Sequence, residues 1–288
     1  MSKPSEQSED DSTESEDESA ESDLSGEHEE PKKPYGQILA EEISEGLHEI
    51  ERPAAGLALS AFSAGLDIGF SLFLMGIMVT LVGEELSKPV RELLVASTYS
   101  IGFIVVVIGR SELFTEHTTL AVLPVIDGKA GIGGLIRLWA IVYVANVLGC
   151  AAFAGVTVLV GPRLKVIDPK ALGEIAMMAA RHPGSTIFFS AVLAGWLMGL
   201  LSWLVTAARD TISQIFIVFM ITGAIGLAHL HHSIVGATEV LSGLFAGQGI
   251  TWTDFGRFML FATVGNAVGG IFFVAILKYS HATRGEPE

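Results

Sequence analysis

Six long apolar stretches dominate the chain and dictate the solvent it must fold in. They cover about 53–82, 93–126, 132–160, 184–208, 211–247 and 257–277, with short polar breaks between them. A helix needs about 20 residues to cross the hydrocarbon core of a bilayer, and every stretch reaches that length. A helix packed on a water-soluble core would keep one polar face, and these stretches have none. The sequence therefore predicts an all-α membrane protein with six transmembrane helices over 53–280.

The flanks are of another kind. Thirteen acidic residues against three lysines in the first 33 positions give −10 of the net −15 carried by 288 residues. With almost no apolar side chain besides Leu24, residues 1–34 cannot offset the entropy of ordering and are expected to form a disordered acidic tail. The tail lacks the basic start and apolar centre of a signal peptide. Over 35–52, Ile38, Leu39, Ile43, Leu47 and Ile50 recur at helical spacing among Glu and His, which predicts an amphipathic helix on the membrane surface. "ALGEIAMMAAR" (171–181) predicts a second surface helix, and 281–288 a short C-terminal tail. The single cysteine, Cys150, excludes an intrachain disulfide. Loop Lys/Arg counts of nine on one side and seven on the other fix no orientation.

The second half repeats the first. "ANVLGCAAF" (145–153) matches "GNAVGGIFF" (265–273), and "AGLDIG" (64–69) matches "AGWLMG" (194–199); the shared Asn146/Asn266 and the glycines at spacing four predict close helix contacts stitched by a buried amide. Three helices per half is an odd number, so the copies are expected in opposite orientations. In such folds an interrupted apolar segment at the same place in each half marks the binding site. Here "GRSELFTEHTT" (109–119) breaks the second stretch and "AHLHHSIVG" (228–236) the fifth. An offset of 120 sets Thr115 opposite Val235. Thr115 and Ser233 are the expected caps of the helices that restart there, whose N-terminal ends would favour an anion.

His232 lies at the second break and is the candidate functional histidine, expected to lend a proton to a passing anion between hydrophobic gates and to recover it from water. His229 and His231 are expected to be structural or to face water. Arg110, Glu112 and Glu239 read either as a buried charge network holding the broken helices or as a substrate filter. Asp67 fits neither role from sequence alone.

Taken together, "ELFTEHTTLAVLPV" (112–125), "HHSIVGATEVL" (231–241), "IRLWAIVYVANVLG" (136–149) and "VGNAVGGIFF" (264–273) resemble the formate/nitrite transporter family, most closely its YfdC-like branch. The resemblance covers residues 36–280. It implies an aquaporin-like fold, a homopentamer with one pore per subunit, both termini in the cytoplasm, and passage of small monovalent anions such as formate, nitrite or hydrosulfide, often with a proton. It places the pore histidine at His232, the loop threonine at Thr115, and the hydrophobic constrictions at Tyr99, Phe103, Leu113, Phe114 and Ile225. The fourth-helix asparagine of the formate channels is Trp196 here, and the Ala-Asn after His-Ser-Ile is Val235-Gly236. No enzymatic group, cofactor, metal or nucleic-acid partner is expected; membrane lipids and further copies of the chain are.

Two rival readings stand beside this one. His229, His231 and His232, with Glu112 and Glu239, could ligate a metal in a transporter or enzyme, although only His229 and His232 have same-face helical spacing. A neutral-solute pore would share the architecture but lacks any Asn-Pro-Ala stretch at the breaks.

Overall fold

The computed structural model describes residues 32–82 and 86–284. The acidic tail, but for its last three positions, and the end of the C-terminal tail lie outside the described residues. Among the described residues every regular element is helical. The helix α1 spans Tyr35–Glu51. The first membrane stretch is α2 (Ala54–Asp67) and α3 (Gly69–Val82), joined at Ile68. The second is α4 (Lys88–Ile108), a break, then α5 (Phe114–Leu120) and the single turn α6 (Leu123–Ile126). α7 (Ile132–Val160) closes the first half. The second half runs from α8 (Pro169–Ala180) through α9 (Gly184–Ala207), α10 (Thr211–Leu227) and α11 (Ser233–Phe245) to α12 (Trp252–Gly270). α12 continues through a π-helical segment, Ile271–Ile276, into α13 (Leu277–Arg284).

Among the described residues five helices, 54–82, 88–108, 132–160, 184–207 and 252–284, are long and apolar enough to cross a membrane. The fifth stretch instead supplies α10 and α11, at 17 and 13 residues each too short to cross alone. Large apolar side chains point outward, Ile212 at 80% exposure and Leu81 at 71%. That surface fits hydrocarbon, where the helical backbone satisfies its own polar groups.

Contacts at the helix ends define two faces. On one, the Tyr279 hydroxyl donates to Asp127 Oδ1 at 2.9 Å, and the Glu42 carboxylate of α1 accepts from Ser202 and Thr206 of α9, both at 2.9 Å. On the other, the Asp168 amide donates to Thr80 Oγ1 at 3.0 Å and Arg91 pairs with Glu174 of α8 at 2.5 Å. These are termed the α1 face and the α8 face.

Both segments expected to form surface helices are helical. α1 buries Ile38, Leu39, Ile43 and Ile50 and, less expectedly, Glu42 and Glu49. α8 starts on Asp168, whose side chain accepts from the Lys170 amide, with Pro169 at the first helical position where its missing N–H costs nothing.

Two helix pairs carry the repeat. A Cβ on Gly65 of α2 would strike the Asn146 carbonyl of α7, and one on Gly195 of α9 the Asn266 carbonyl of α12. Gly149 and Gly269 answer from the opposite helices, against the carbonyls of Phe62 and Val192. Small residues let these backbones touch, which is how helices associate where no hydrophobic effect drives them together.

Candidate permeation site

Each broken helix ends in the same way. Arg110 and His229 adopt left-handed backbone, φ 55° and 49°. The Arg110 and Ser111 amides donate back to the Val107 and Val106 carbonyls; those of His229 and Leu230 donate back to Gly226 and Ile225. This is the Schellman arrangement, here with arginine and histidine where glycine is usual, at a cost of roughly 1 kcal/mol each. The pattern relates the breaks by 119 positions. Thr115 therefore corresponds to Ile234 and not, as the sequence offset of 120 implied, to Val235.

The restarting helices are not capped as expected. The Phe114 amide, first in α5, donates to Asn146 Oδ1 at 2.9 Å, and the Ser233 amide, first in α11, donates to Asn266 Oδ1 at 2.8 Å. The amide nitrogen of Asn146 donates to the carbonyls of Ala61 and Glu112, and that of Asn266 to those of Ala191 and His231. Each cap is thus a buried carboxamide from a neighbouring helix that stitches three chain segments. The Ser233 hydroxyl is buried without a partner, and Thr115 turns its hydroxyl elsewhere. A cross-helix asparagine leaves no signal in the local sequence around a helix start, so a local capping rule misses it.

Thr115 Oγ1 lies 2.7 Å from His232 Nε2, and both side chains are buried. His232 Nδ1 accepts from the Val235 amide at 3.2 Å, so His232 itself completes the cap of α11. With Nδ1 accepting, a neutral ring carries its hydrogen on Nε2 and donates to Thr115, which leaves the threonine hydroxyl hydrogen free to donate onward. Phe103 stands edge-on to the imidazole at 5.2 Å, with Tyr99 5.3 Å from Phe103.

A cavity descends from the α8 face to His232. Tyr99, Ile225, Phe258 and Glu239 line its depth. Arg91, Glu92, Glu174 and His229 also line it, Arg91 paired with Glu174 and His229 with Glu92 at 2.9 Å. Of the expected constriction residues, Tyr99 and Ile225 are on this cavity and Phe103 backs His232. Leu113 and Phe114 are buried away from it, the Phe114 ring lying 5.0 Å from Tyr143 and 6.1 Å from Trp139. Trp196 does not face the cavity: it stacks on Phe273 at 4.5 Å and is 37% exposed.

The three histidines disperse. His229 goes to Glu92, His231 places Nδ1 2.8 Å from Ser190 Oγ, and His232 goes to Thr115. Among the described residues no three His, Cys, Asp or Glu side chains are placed to hold a metal ion.

Arg110, Glu112 and Glu239 do not form one network. Glu112 pairs with Arg52 at 2.5 Å and with His117 at short range, and Arg52 also holds Glu49 at 2.9 Å. Arg110 is exposed and makes no ion pair among the described residues; Glu239 is half-buried and makes none either. Asp67 accepts from Ser63 at 3.2 Å and from Ser111 in the first break at 3.3 Å. Arg52, Glu49 and His117 went unnoticed in the sequence. Only His117, two residues beyond Thr115 in an apolar stretch, carried a signal, because Arg52 reaches Glu112 across 60 positions.

Comparison with known proteins places this geometry. The family profile described as Formate/nitrite transporter matches residues 36–280. The chain belongs to this family. It is 34% identical over 242 residues to the inner membrane protein YfdC of Escherichia coli K12, covering 82% of this chain and 75% of YfdC. It is 30% identical over 249 residues to a probable formate transporter of Methanothermobacter thermautotrophicus, covering 79% and 89%. It is 28% identical over 233 residues to the nitrite transporter NirC of Salmonella typhimurium, covering 79% and 83%. Among solved structures, an FNT family ion channel superposes with TM-score 0.78 at 22% identity, over 87% of this chain and 99% of that one. A pentameric formate channel with formate bound gives 0.67 at 23%, over 80% and 98%. The aquaporin-like fold of this family is the fold of this chain.

Proposed function

We propose that this member of the formate/nitrite transporter family carries small monovalent anions across the cytoplasmic (inner) membrane, together with a proton. It does so as a homopentamer with one pathway per subunit and both termini in the cytoplasm. The observation that carries the reading is the His232–Thr115 pair, set where two half-helices begin and at the foot of a cavity open to the α8 face. The half-helix ends and the free Thr115 hydroxyl favour an anion there.

Magnitudes favour neutral passage. A bare anion in a dry constriction costs several kcal/mol or far more. Protonating a carboxylate of pKa roughly 4 at neutral pH costs about 4 kcal/mol, at 1.36 per unit. An anion gripped through Thr115 while it takes up a proton can then pass Tyr99, Phe103 and Ile225 as the acid. His232 assists by orienting Thr115 and by stabilising the bound anion through it. Glu112, Arg52 and His117 act structurally, holding the start of α5.

The test is uptake of formate, nitrite, acetate, lactate and hydrosulfide into proteoliposomes. At least one of these is expected to enter well above the protein-free rate, and His232→Ala is expected to reduce that uptake at least tenfold while the protein still assembles. Water or glycerol passing while every anion is excluded would favour a neutral-solute pore. Unchanged uptake in His232→Ala would remove the histidine from the mechanism.

A further inference from the structure

The α8-face cavity has the wrong charge for a simple anion funnel. Its lining carries three carboxylates, Glu92, Glu174 and Glu239, against one arginine, Arg91. That arginine is held by Glu174 and the outer histidine, His229, by Glu92, so neither side chain is free for an incoming anion. His232 cannot easily supply a proton either. Both of its nitrogens are engaged, and charging the ring would take Nδ1 away from the Val235 amide and uncap α11.

One carboxyl group in the cavity has no such commitment. Glu239 lies on α11, less than two turns beyond the His232 cap, and its side chain makes no hydrogen bond or ion pair among the described residues. An ionisable group at membrane depth that faces a cavity and has no partner is costly unless it works.

We propose that Glu239 is the proton-exchanging group of the pathway, giving its proton to the anion in the cavity and regaining one from cavity water. The step balances: the carboxylic acid and the anion become the carboxylate and the neutral acid, and a hydronium ion from the α8 face restores the carboxyl. Positioned proton donors work in this way when they share a site with their acceptor. While protonated, Glu239 adds no charge of its own to repel the anion. The inference deepens the anion-and-proton reading and rests on it.

The other ionisable groups near Glu239 are accounted for. On the cavity stand Tyr99, Arg91 and Glu92 of α4, Glu174 of α8, and the histidines of the second break. Of the helices packed on α11, α7 brings Cys150, whose thiol donates to the Ile234 carbonyl. α12 brings Asp254 and Arg257, paired with each other at 3.5 Å, and α5 brings Glu116 and His117, the latter held by Glu112. Tyr99 is too weak an acid to exchange protons near neutrality. Glu116 lies off the cavity, toward Glu42 and Glu45 of α1, so among the groups that line the cavity His231, whose Nε2 is buried without a partner, is the one competitor.

The experiment is formate uptake into proteoliposomes at pH 5 and pH 7.5 for wild type, Glu239→Gln, Glu239→Ala and Glu239→Asp. At pH 5 bulk water delivers formic acid, so the variants should match wild type within about threefold. At pH 7.5 Glu239→Gln and Glu239→Ala should fall at least tenfold below wild type, and Glu239→Asp should restore most of the loss. A loss of the same size at both pH values would mark Glu239 as structural and overturn the proposal. So would a pH-dependent loss that follows His231→Gln and not Glu239→Gln. Wild-type protein that passes no small anion at either pH would instead sink the transport reading itself.

Discussion

Replacing Asn266 with alanine is expected to cost roughly 3–6 kcal/mol and to lower the thermal midpoint of the purified protein by on the order of 10 °C. The carboxamide makes three hydrogen bonds, accepting from the Ser233 amide and donating to the Ala191 and His231 carbonyls. Each backbone group stranded in a dry interior costs roughly 1–3 kcal/mol, and a shift of 1 kcal/mol moves the midpoint of a chain this size by roughly 2–4 °C. Asn146→Ala should behave alike, because Asn146 makes the matching bonds to Phe114, Ala61 and Glu112. Asn266→Asp keeps the acceptor but loses both donated bonds, so it should fall short of rescue. Thermal unfolding in detergent checks this, and a midpoint within two degrees of wild type would show that the half-helices are held by something else.

These asparagines also show how far the sequence could be read. The apolar lengths predict the spans, and the Gly and Asn repeats predict two pairs of touching helices, because both signals are intrinsic to short segments. Polar residues inside apolar runs placed the breaks within 109–119 and 228–236, which contain the shorter loops 109–113 and 228–232 of the structure. What sat in the wrong place was nonlocal. The caps come from helices about 32 positions away, and the ion partner of Glu112 comes from Arg52, 60 positions before it. The register of the breaks was off by one because the aligned strings lie outside the loops, where a single added residue is absorbed before Asn146 and Asn266. Dispersal of the histidines was likewise invisible, since left-handed backbone at His229 turns the chain between one histidine and the next.

The second large effect concerns α1. Burial pushes the Glu42 carboxyl from 4.5 up to about 7, even though the Ser202 and Thr206 hydroxyls pull it back toward the charged form. The sign follows from where the proton is held. Below about pH 4.5 the carboxyl is protonated whether α1 is docked or not, and burial costs nothing for charge. Between about 4.5 and about 7 the docked helix keeps its proton while a free one loses it, so docking weakens by about 1.36 kcal/mol per pH unit. Above about 7 both forms are charged and the penalty stays constant at roughly 3 kcal/mol. Glu42→Gln removes the ionisation and leaves an acceptor for Ser202 and Thr206. It should therefore stabilise the protein at pH 8 and leave it nearly unchanged at pH 4.5, as read by thermal unfolding or by protease cleavage at α1. Equal effects at the two pH values would mean that Glu42 is not the titrating group.

The most direct test of the central claim is wild-type protein in liposomes with a pH-sensitive dye trapped inside and formate supplied outside. Neutral passage predicts that formate enters faster than in protein-free liposomes, that the lumen acidifies as the acid dissociates there, and that clamping the membrane potential changes neither. A voltage-driven formate current without acidification, or entry of every anion of the uptake screen at the protein-free rate, would contradict it.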